Sequence, residues 1–392
     1  MWNCKVIASI KKLTPMNRKI LHPILFILLI CLSCKFNENN HFNEKIIGNW
    51  AYTRIEYSEI DTNKDGNLIP PTPINFYEND SGYTFSKNNV CENKRGYFKE
   101  NTKNELENSA STYLGNTTTY KIEKDSLKIF NISDSSWNSR KIYSITDDTL
   151  TFQAEKGILI KYTKIKNKPK AKVKVERIIV SSSGCYGTCP ISDVSIDESG
   201  NVIFFGDQYN SKNGFFTSNI TTAEYEELTK DLRFIDIMEL KPYYQANRTD
   251  DETVYITFIS DNKILKSVTD YGAKSPHQLV WTYTPIRYLY QKLTLAPHQK
   301  PPLLLDDVQF EASKKSCVLS RSESFFLSTE LSKAKVTSKS FQKKYKINSW
   351  DDNTIGYTDG RFYQLKDKTL DLGYNFLTKN NLNLKFKERN YN

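Results

Sequence analysis

The chain is poor in histidine, with only four among its 392 residues. Imidazole is a common general base and the commonest metal ligand of proteins, so this scarcity argues against a histidine-rich metal centre. The sequence also lacks a G-x-S-x-G elbow, a phosphate loop, an H-E-x-x-H pair and a dinucleotide-binding fingerprint. The absence of these catalytic signatures favours a non-catalytic protein.

Long apolar runs are also lacking, apart from one at residues 20–34, which follows a basic stretch without acids. A basic region, a short apolar region and a small residue before the cut predict a signal peptide over residues 1–33. His22 and Pro23 interrupt the run, which is too short for a membrane span of about 20 apolar residues. The ending Leu32-Ser33-Cys34 resembles a bacterial lipoprotein signal, and the resemblance implies lipidation of Cys34.

A multiply acylated Cys34 would hold the protein on a membrane through the polar tether of residues 34–45. The retention signal for the inner membrane places Asp where Lys35 follows here, so the resemblance implies the outer membrane. The alternatives are an uncleaved anchor and an ordinary secretory signal. In each case the folded part lies outside the cytoplasm, where disulfides persist.

The formal charge of +10 suggests a nucleic-acid partner at first sight. Five of the basic residues belong to the predicted leader, however, and their removal lowers the charge to +5. An exported chain rarely meets nucleic acid, so we expect no such partner. The length predicts two or three domains.

Residues 46–165 contain short alternating runs separated by turn pairs, which predicts an antiparallel meander that closes into a barrel. The Gly48-x-Trp50 start and the order of the strands resemble a bacterial lipocalin-like domain. The resemblance implies a cup for a small apolar ligand, with Trp50 at its closed end under a basic residue, Lys161 or Lys164. The alternative is a filled barrel without a ligand.

Within this region, Asp61, Asn63 and Asp65 precede Gly66 as in the first half of a calcium loop. Thr72 stands at the twelfth position, where calcium loops have a bidentate acid. The alternatives are therefore a weak calcium site and a polar hairpin tip. No other cofactor is predicted.

After a lysine-rich linker at residues 166–172, residues 173–295 read as strands, a helix, a hairpin and a second helix. Thr221 and Glu224 fit a capping box at the start of the first helix. This order predicts an α+β domain, an antiparallel sheet with helices on one face. A linker at residues 296–302 then leads to a small β-rich module at residues 303–392, with a helix at about 323–335. This module could instead complete the central domain.

The segment Gly184–Pro190, GCYGTCP, resembles the C-[FY]-G-T-C-P motif of a bacterial domain of unknown function, number 6438, which supplies no established activity. Three chemistries fit Cys185 and Cys189. They are a disulfide, favoured by the compartment, a redox pair, and a zinc site that would need two further ligands.

Three acids before a strand, Asp250, Asp251 and Glu252, either act as acid and base or are simply solvated. The leading hypothesis is an envelope lipoprotein that binds without catalysis and holds a small apolar ligand in its barrel. The alternatives are a thiol-redox or hydrolytic enzyme that uses Cys185 and Cys189 with Asp250 and Asp251, and a calcium-stabilised adhesion module.

Overall fold

The computed structural model describes residues 42–57, 81–101, 111–155, 157–166, 168–170, 173–348 and 354–388. They form one closed barrel and two eight-stranded sheets. The predicted fold class is confirmed, because the chain is mostly β with few helices. The α-helices are α1 (residues 42–45), α2 (Thr222–Thr229), α3 (His277–Arg287), α4 (Arg321–Leu331) and α5 (Phe376–Lys379).

The barrel consists of consecutive antiparallel strands joined in sequence order, and its last strand pairs with its first. Tight turns fit because residues such as Lys124 adopt a positive φ, here 57°. The segments with alternating apolar and polar residues therefore form strands, each with one face towards the barrel interior. The strands are β1 (Gly48–Tyr57), β2 (Gly82–Phe85), β3 (Val90–Glu100), β4 (Ser111–Glu123), β5 (Ser126–Asn131), β6 (Ser136–Ile145), β7 (Thr149–Glu155) and β8 (Ile158–Lys164).

The central sheet consists of β9 (Arg177–Ser182), β10 (Ile191–Asp197), β11 (Asn201–Gln208), β12 (Gly214–Asn219), β13 (Tyr243–Gln245), β14 (Thr253–Ser260), β15 (Lys263–Tyr271) and β16 (Ala296–Pro297). Its spatial order is β13-β15-β14-β9-β10-β11-β12-β16. All pairings are antiparallel except that of the short β13 with β15. Gly200 makes the β10–β11 turn at a φ of 85°, where a Cβ would lie 1.9 Å from the carbonyl oxygen of Ile220.

The two faces of this sheet pack against different helices. Side chains of a strand point alternately to opposite faces, so Ile178 and Val180 join the core formed with α2 and α3, while Ile179 joins the core formed with α4. The capping box of Thr221 and Glu224 starts α2. The helices of the central region thus lie on one face, and a helix from the C-terminal region covers the other.

The third sheet has the order β19-β23-β22-β21-β20-β17-β18-β24. The sequence predicts a helix at about 323–335 in this region, whereas α4 spans residues 321–331 and every one of its residues is buried. It is enclosed because it lies between two sheets. The strands are β17 (Gln309–Ala312), β18 (Lys315–Val318), β19 (Lys335–Thr337), β20 (Tyr345–Asn348), β21 (Thr354–Thr358), β22 (Phe362–Leu365), β23 (Lys368–Asp371) and β24 (Lys387–Glu388).

The barrel contacts the central region through buried charges. The Nζ of Lys94 lies 2.8 Å from Glu92 and 3.1 Å from Asp231, and Lys230 lies 2.5 Å from Glu92. Burial alone would raise the pKa of Glu92, but the two ammonium groups outweigh it and lower this pKa below its ordinary value. The network therefore links the barrel to the end of α2.

Candidate functional site

The end of the barrel next to α1 is closed by Trp50. This side chain is fully buried, and its Nε1 donates to the carbonyl oxygen of Ile46 over 2.6 Å. The Nζ of Lys164 lies 4.9 Å from the ring centre, within cation–π distance. Gly48 adopts a φ of 130°, and a Cβ there would come within 2.6 Å of Lys164 Cε. Lys164 therefore covers the ring, whereas Lys161 pairs with a glutamate of β1.

The barrel interior above Trp50 is mainly aromatic and aliphatic. Tyr162 is its centre, because the rings of Tyr83 and Phe152 each lie 5.6 Å from that of Tyr162, and Tyr52 makes an edge contact at 6.0 Å. Aliphatic side chains complete the lining. They include Leu127, Ile129, Ile142, Leu150 and Ile160, all buried. These side chains form one buried core cluster, in which the tyrosine rings lie among apolar side chains.

One charged group also faces the interior. Arg140 of β6 stands opposite Leu127 of β5, and on the same face two residues later is the buried Ile142. The residue is half-buried, but its Nη1 is fully buried and has no hydrogen-bond partner within the described part of the chain. Sequence reasoning missed Arg140, although its alternation with Ile142 indicated an inward position.

The GCYGTCP segment forms a loop between β9 and β10. Cys185 and Cys189 are joined by a disulfide, with their Cα atoms 5.6 Å apart. The structure therefore contains the disulfide that was one of the three chemistries predicted for these cysteines. Tyr186 at the tip of the loop is 89% exposed, and its backbone N–H donates to the carbonyl oxygen of Asp250 over 3.3 Å. The loop therefore lies beside the acidic segment. The other two cysteines within the described ranges, Cys91 and Cys317, are buried and free.

The acids after Asp250 are held in ion pairs. Asp251 pairs with Arg248, and both Glu252 oxygens accept from the guanidinium of Arg287, one of them over 2.7 Å. These carboxylates line a cleft of about 230 Å³ together with Cys189 and with residues of the barrel. The structure thus brings together the disulfide and the acids that the sequence placed about sixty residues apart, although Asp251 and Glu252 are each paired with an arginine.

Residues 176–290 match a family described as a domain of unknown function, DUF6438. This match includes the disulfide loop, the acidic segment and α3, and it excludes the barrel and α4. No curated protein matches the chain. The comparisons therefore show that the central region is similar to this family, and they assign no activity to it.

Several predicted residues lie outside the described ranges, namely Cys34 and the calcium-loop residues Asp61, Asn63 and Asp65. Among the residues that are described, no three side chains of His, Cys, Asp or Glu come together as a metal site. No helix within those ranges is long and apolar enough to cross a membrane. Calcium binding and lipidation therefore stay predictions.

Proposed function

We propose that the protein is a lipid-anchored protein of the bacterial cell envelope that binds a small ligand in its barrel and catalyses no reaction. The observation that carries this proposal is the closed eight-stranded barrel. Its interior is apolar and aromatic, and Trp50 closes one end. Barrels of eight strands are wide enough either to fill with side chains or to hold one small ligand.

The chemistry of the central region supports a non-catalytic role. The thiolate is the reactive form of cysteine, and a disulfide offers none, so neither Cys185 nor Cys189 is a nucleophile in this state. Asp251 and Glu252 serve as partners of arginines that hold adjacent segments together. We infer that the disulfide and the ion pairs shape the loops beside the cleft.

The anchor rests on the sequence. Cys34 would be acylated and retained in the outer membrane, and the tether to residue 45 would place the barrel close to the lipid surface. Labelling with a fatty acid during expression tests this part, because Cys34→Ala should abolish both the label and the membrane association. Labelling that survives in the variant would contradict the anchor.

Binding in the barrel is tested with N-phenyl-1-naphthylamine, a neutral apolar dye that fluoresces when it leaves water. The soluble chain from Lys35 should bind it. Ile129→Trp fills the interior and should abolish binding, whereas Ser139→Trp, on the outer face of the barrel, should not. Equal binding by the two variants would place the dye elsewhere and refute a ligand-binding barrel.

The thiol-redox alternative is tested by intact mass after alkylation, with and without reductant. A bond between Cys185 and Cys189 that resists mild reduction supports the non-catalytic role. Thiols that alkylate quickly near neutral pH would favour the redox alternative instead. The calcium alternative predicts that added calcium raises the melting temperature, and that Asp61→Asn with Asp65→Asn removes the effect.

A further inference from the structure

We propose that one outer face of the barrel docks on an anionic lipid surface, that of the membrane to which the chain is anchored. The inference rests on the proposed lipid anchor and names a second contact that would hold the barrel against the membrane. The face belongs to three neighbouring strands, and we call it the β4–β6 face. Its side chains are Lys121, Lys128, Phe130, Trp137, Lys141 and Tyr143.

Strand pairing places these side chains in adjoining rows on the outside of the barrel. Lys121 pairs with Lys128, and in the next outward row Phe130 pairs with Trp137. The pairs between these rows belong to the inward face, because successive side chains of a strand point to opposite sides. Lys141 of β6 pairs with Ser126 in the outward row on the other side of Lys128. The residues of the β4–β6 face therefore form one continuous surface.

The β4–β6 face exposes aromatic side chains to water. Trp137 is 43% exposed and Tyr143 is 61% exposed. The ring of Phe130 lies 5.4 Å from that of Trp137 in an edge contact, so the two rings share one apolar spot. Tryptophan and tyrosine are enriched where membrane meets water, because each ring has an apolar body and a polar tip. Contact with lipid head groups would remove this exposed aromatic surface from water.

Lysines surround the aromatic side chains. The Nζ of Lys121 lies 4.7 Å from the ring centre of Trp137. Glu123 is the only carboxylate in the sequences of β4, β5 and β6, and it pairs with both Lys121 and Lys128. Lys141 has no ion-pair partner among the described residues. The β4–β6 face therefore carries a net positive charge, which complements anionic head groups.

The predicted anchor lies within reach of the β4–β6 face. Lys45, at the end of α1, pairs with Asp147 in the turn that follows β6, and its Nζ lies 3.5 Å from that carboxylate. Phe42, where the described chain begins, follows Cys34 by eight residues. A segment of this length spans about 28 Å at most when it is fully extended. An anchored barrel can therefore lie with the side formed by β6 against the lipid.

The test couples the mature chain through Cys34 to vesicles that contain a maleimide lipid, which supplies an anchor at this residue without acylation. Coupling is specific, because Cys185 and Cys189 form a disulfide and the other two described cysteines are buried. The vesicles consist of phosphatidylcholine with or without phosphatidylglycerol. Their acyl chains carry bromine, which quenches tryptophan fluorescence on contact.

We expect quenching when phosphatidylglycerol is present, and much less without it. Trp137→Phe should remove the quenching, because the other tryptophans within the described ranges are buried. The quenched fraction gives the ratio of docked to undocked protein. This ratio should fall as salt is added, because salt screens the attraction between lysines and head groups.

Single substitutions separate the contributions of charge and of aromatic surface. Lys141→Gln should lower the docked ratio about fivefold, the expected contribution of one basic residue near an anionic surface. Its matched control is Lys335→Gln, which removes an exposed lysine of β19 in the third sheet and should have no effect. Tyr143→Ser should lower the ratio about tenfold, because roughly 50 Å² of apolar surface is no longer removed from water. Its matched control is Tyr186→Ser, at the exposed tip of the disulfide loop. Melting curves establish that each variant is folded.

Each other outcome overturns a distinct claim. Absence of quenching with phosphatidylglycerol, or quenching that persists in Trp137→Phe, would refute docking through the β4–β6 face. Equal quenching with and without phosphatidylglycerol, or an effect of Lys335→Gln as large as that of Lys141→Gln, would refute an anionic surface as the partner. A lack of fatty-acid labelling at Cys34 in cells would refute the proposed anchor instead, and the coupled chain tests the face in either case.

Discussion

Arg321 of α4 reaches Asp193 of β10 at the contact between the central sheet and α4. Its Nη2 and Nε lie 2.8 Å and 3.2 Å from the two carboxylate oxygens of Asp193. The side chain of Asp193 is 1% exposed and that of Arg321 is 9% exposed. Asp306, at 3.3 Å, is almost half exposed. Asp193 therefore depends on Arg321 for its stabilisation, whereas Asp306 keeps its contact with water.

Arg321→Met should destabilise this part of the chain strongly. Removal of one partner of a buried ion pair leaves an uncompensated charge and costs about 3–5 kcal/mol. The double variant Arg321→Met with Asp193→Asn removes the stranded carboxylate and should recover much of the loss. The matched control is Arg361→Met. Arg361 also pairs with both oxygens of one carboxylate, that of Asp371, but it lies at the surface, so its loss should be small.

Urea unfolding gives the free energies, and hydrogen–deuterium exchange of peptides from β10 and α4 separates this region from the barrel. Exchange should rise in both peptides of Arg321→Met, because each partner loses the same contact. The reasoning is refuted if Arg321→Met costs no more than Arg361→Met, or if Asp193→Asn restores nothing. Faster exchange in α4 alone would show that the helix is not coupled to the sheet.

Three further predictions concern other parts of the fold. Trp50→Ala should lower the free energy of unfolding of the barrel by about 3–5 kcal/mol, measured in urea, because it empties a fully buried site. Replacement of Cys185 and Cys189 by serine should lower the free energy of unfolding of the central region by about 2 kcal/mol, as expected when so short a disulfide loop is opened. An unchanged urea midpoint for this region would contradict a structural role of the disulfide. Glu92 stabilises the folded state above its ordinary pKa of 4.5, and this contribution is lost as the pH falls through its lowered pKa. The difference in unfolding free energy between the protein and Glu92→Gln should therefore shrink between about pH 7 and about pH 3, and a constant difference would refute the assignment.

Much of the local structure could be predicted from residue order. Alternation of apolar and polar residues indicated the strands, since successive side chains of a strand point to opposite faces. Turn pairs located the hairpins, as at Asp261 and Asn262, which both adopt a positive φ between β14 and β15. The capping box at Thr221 located the start of α2. Each of these signals depends on neighbours within a few residues, which is why sequence alone determined them.

Tertiary structure decided the features that depend on distant partners. Closure of the barrel set Lys164 over Trp50 and turned Arg140 towards the interior. Packing between two sheets buries every residue of α4, although its sequence carries Arg321, three serines and one threonine. From sequence alone, a charged residue such as Arg321 is predicted to be exposed. Only the structure shows that a buried carboxylate, here Asp193, pairs with it. That partner lies 128 residues away, beyond the reach of any local pattern.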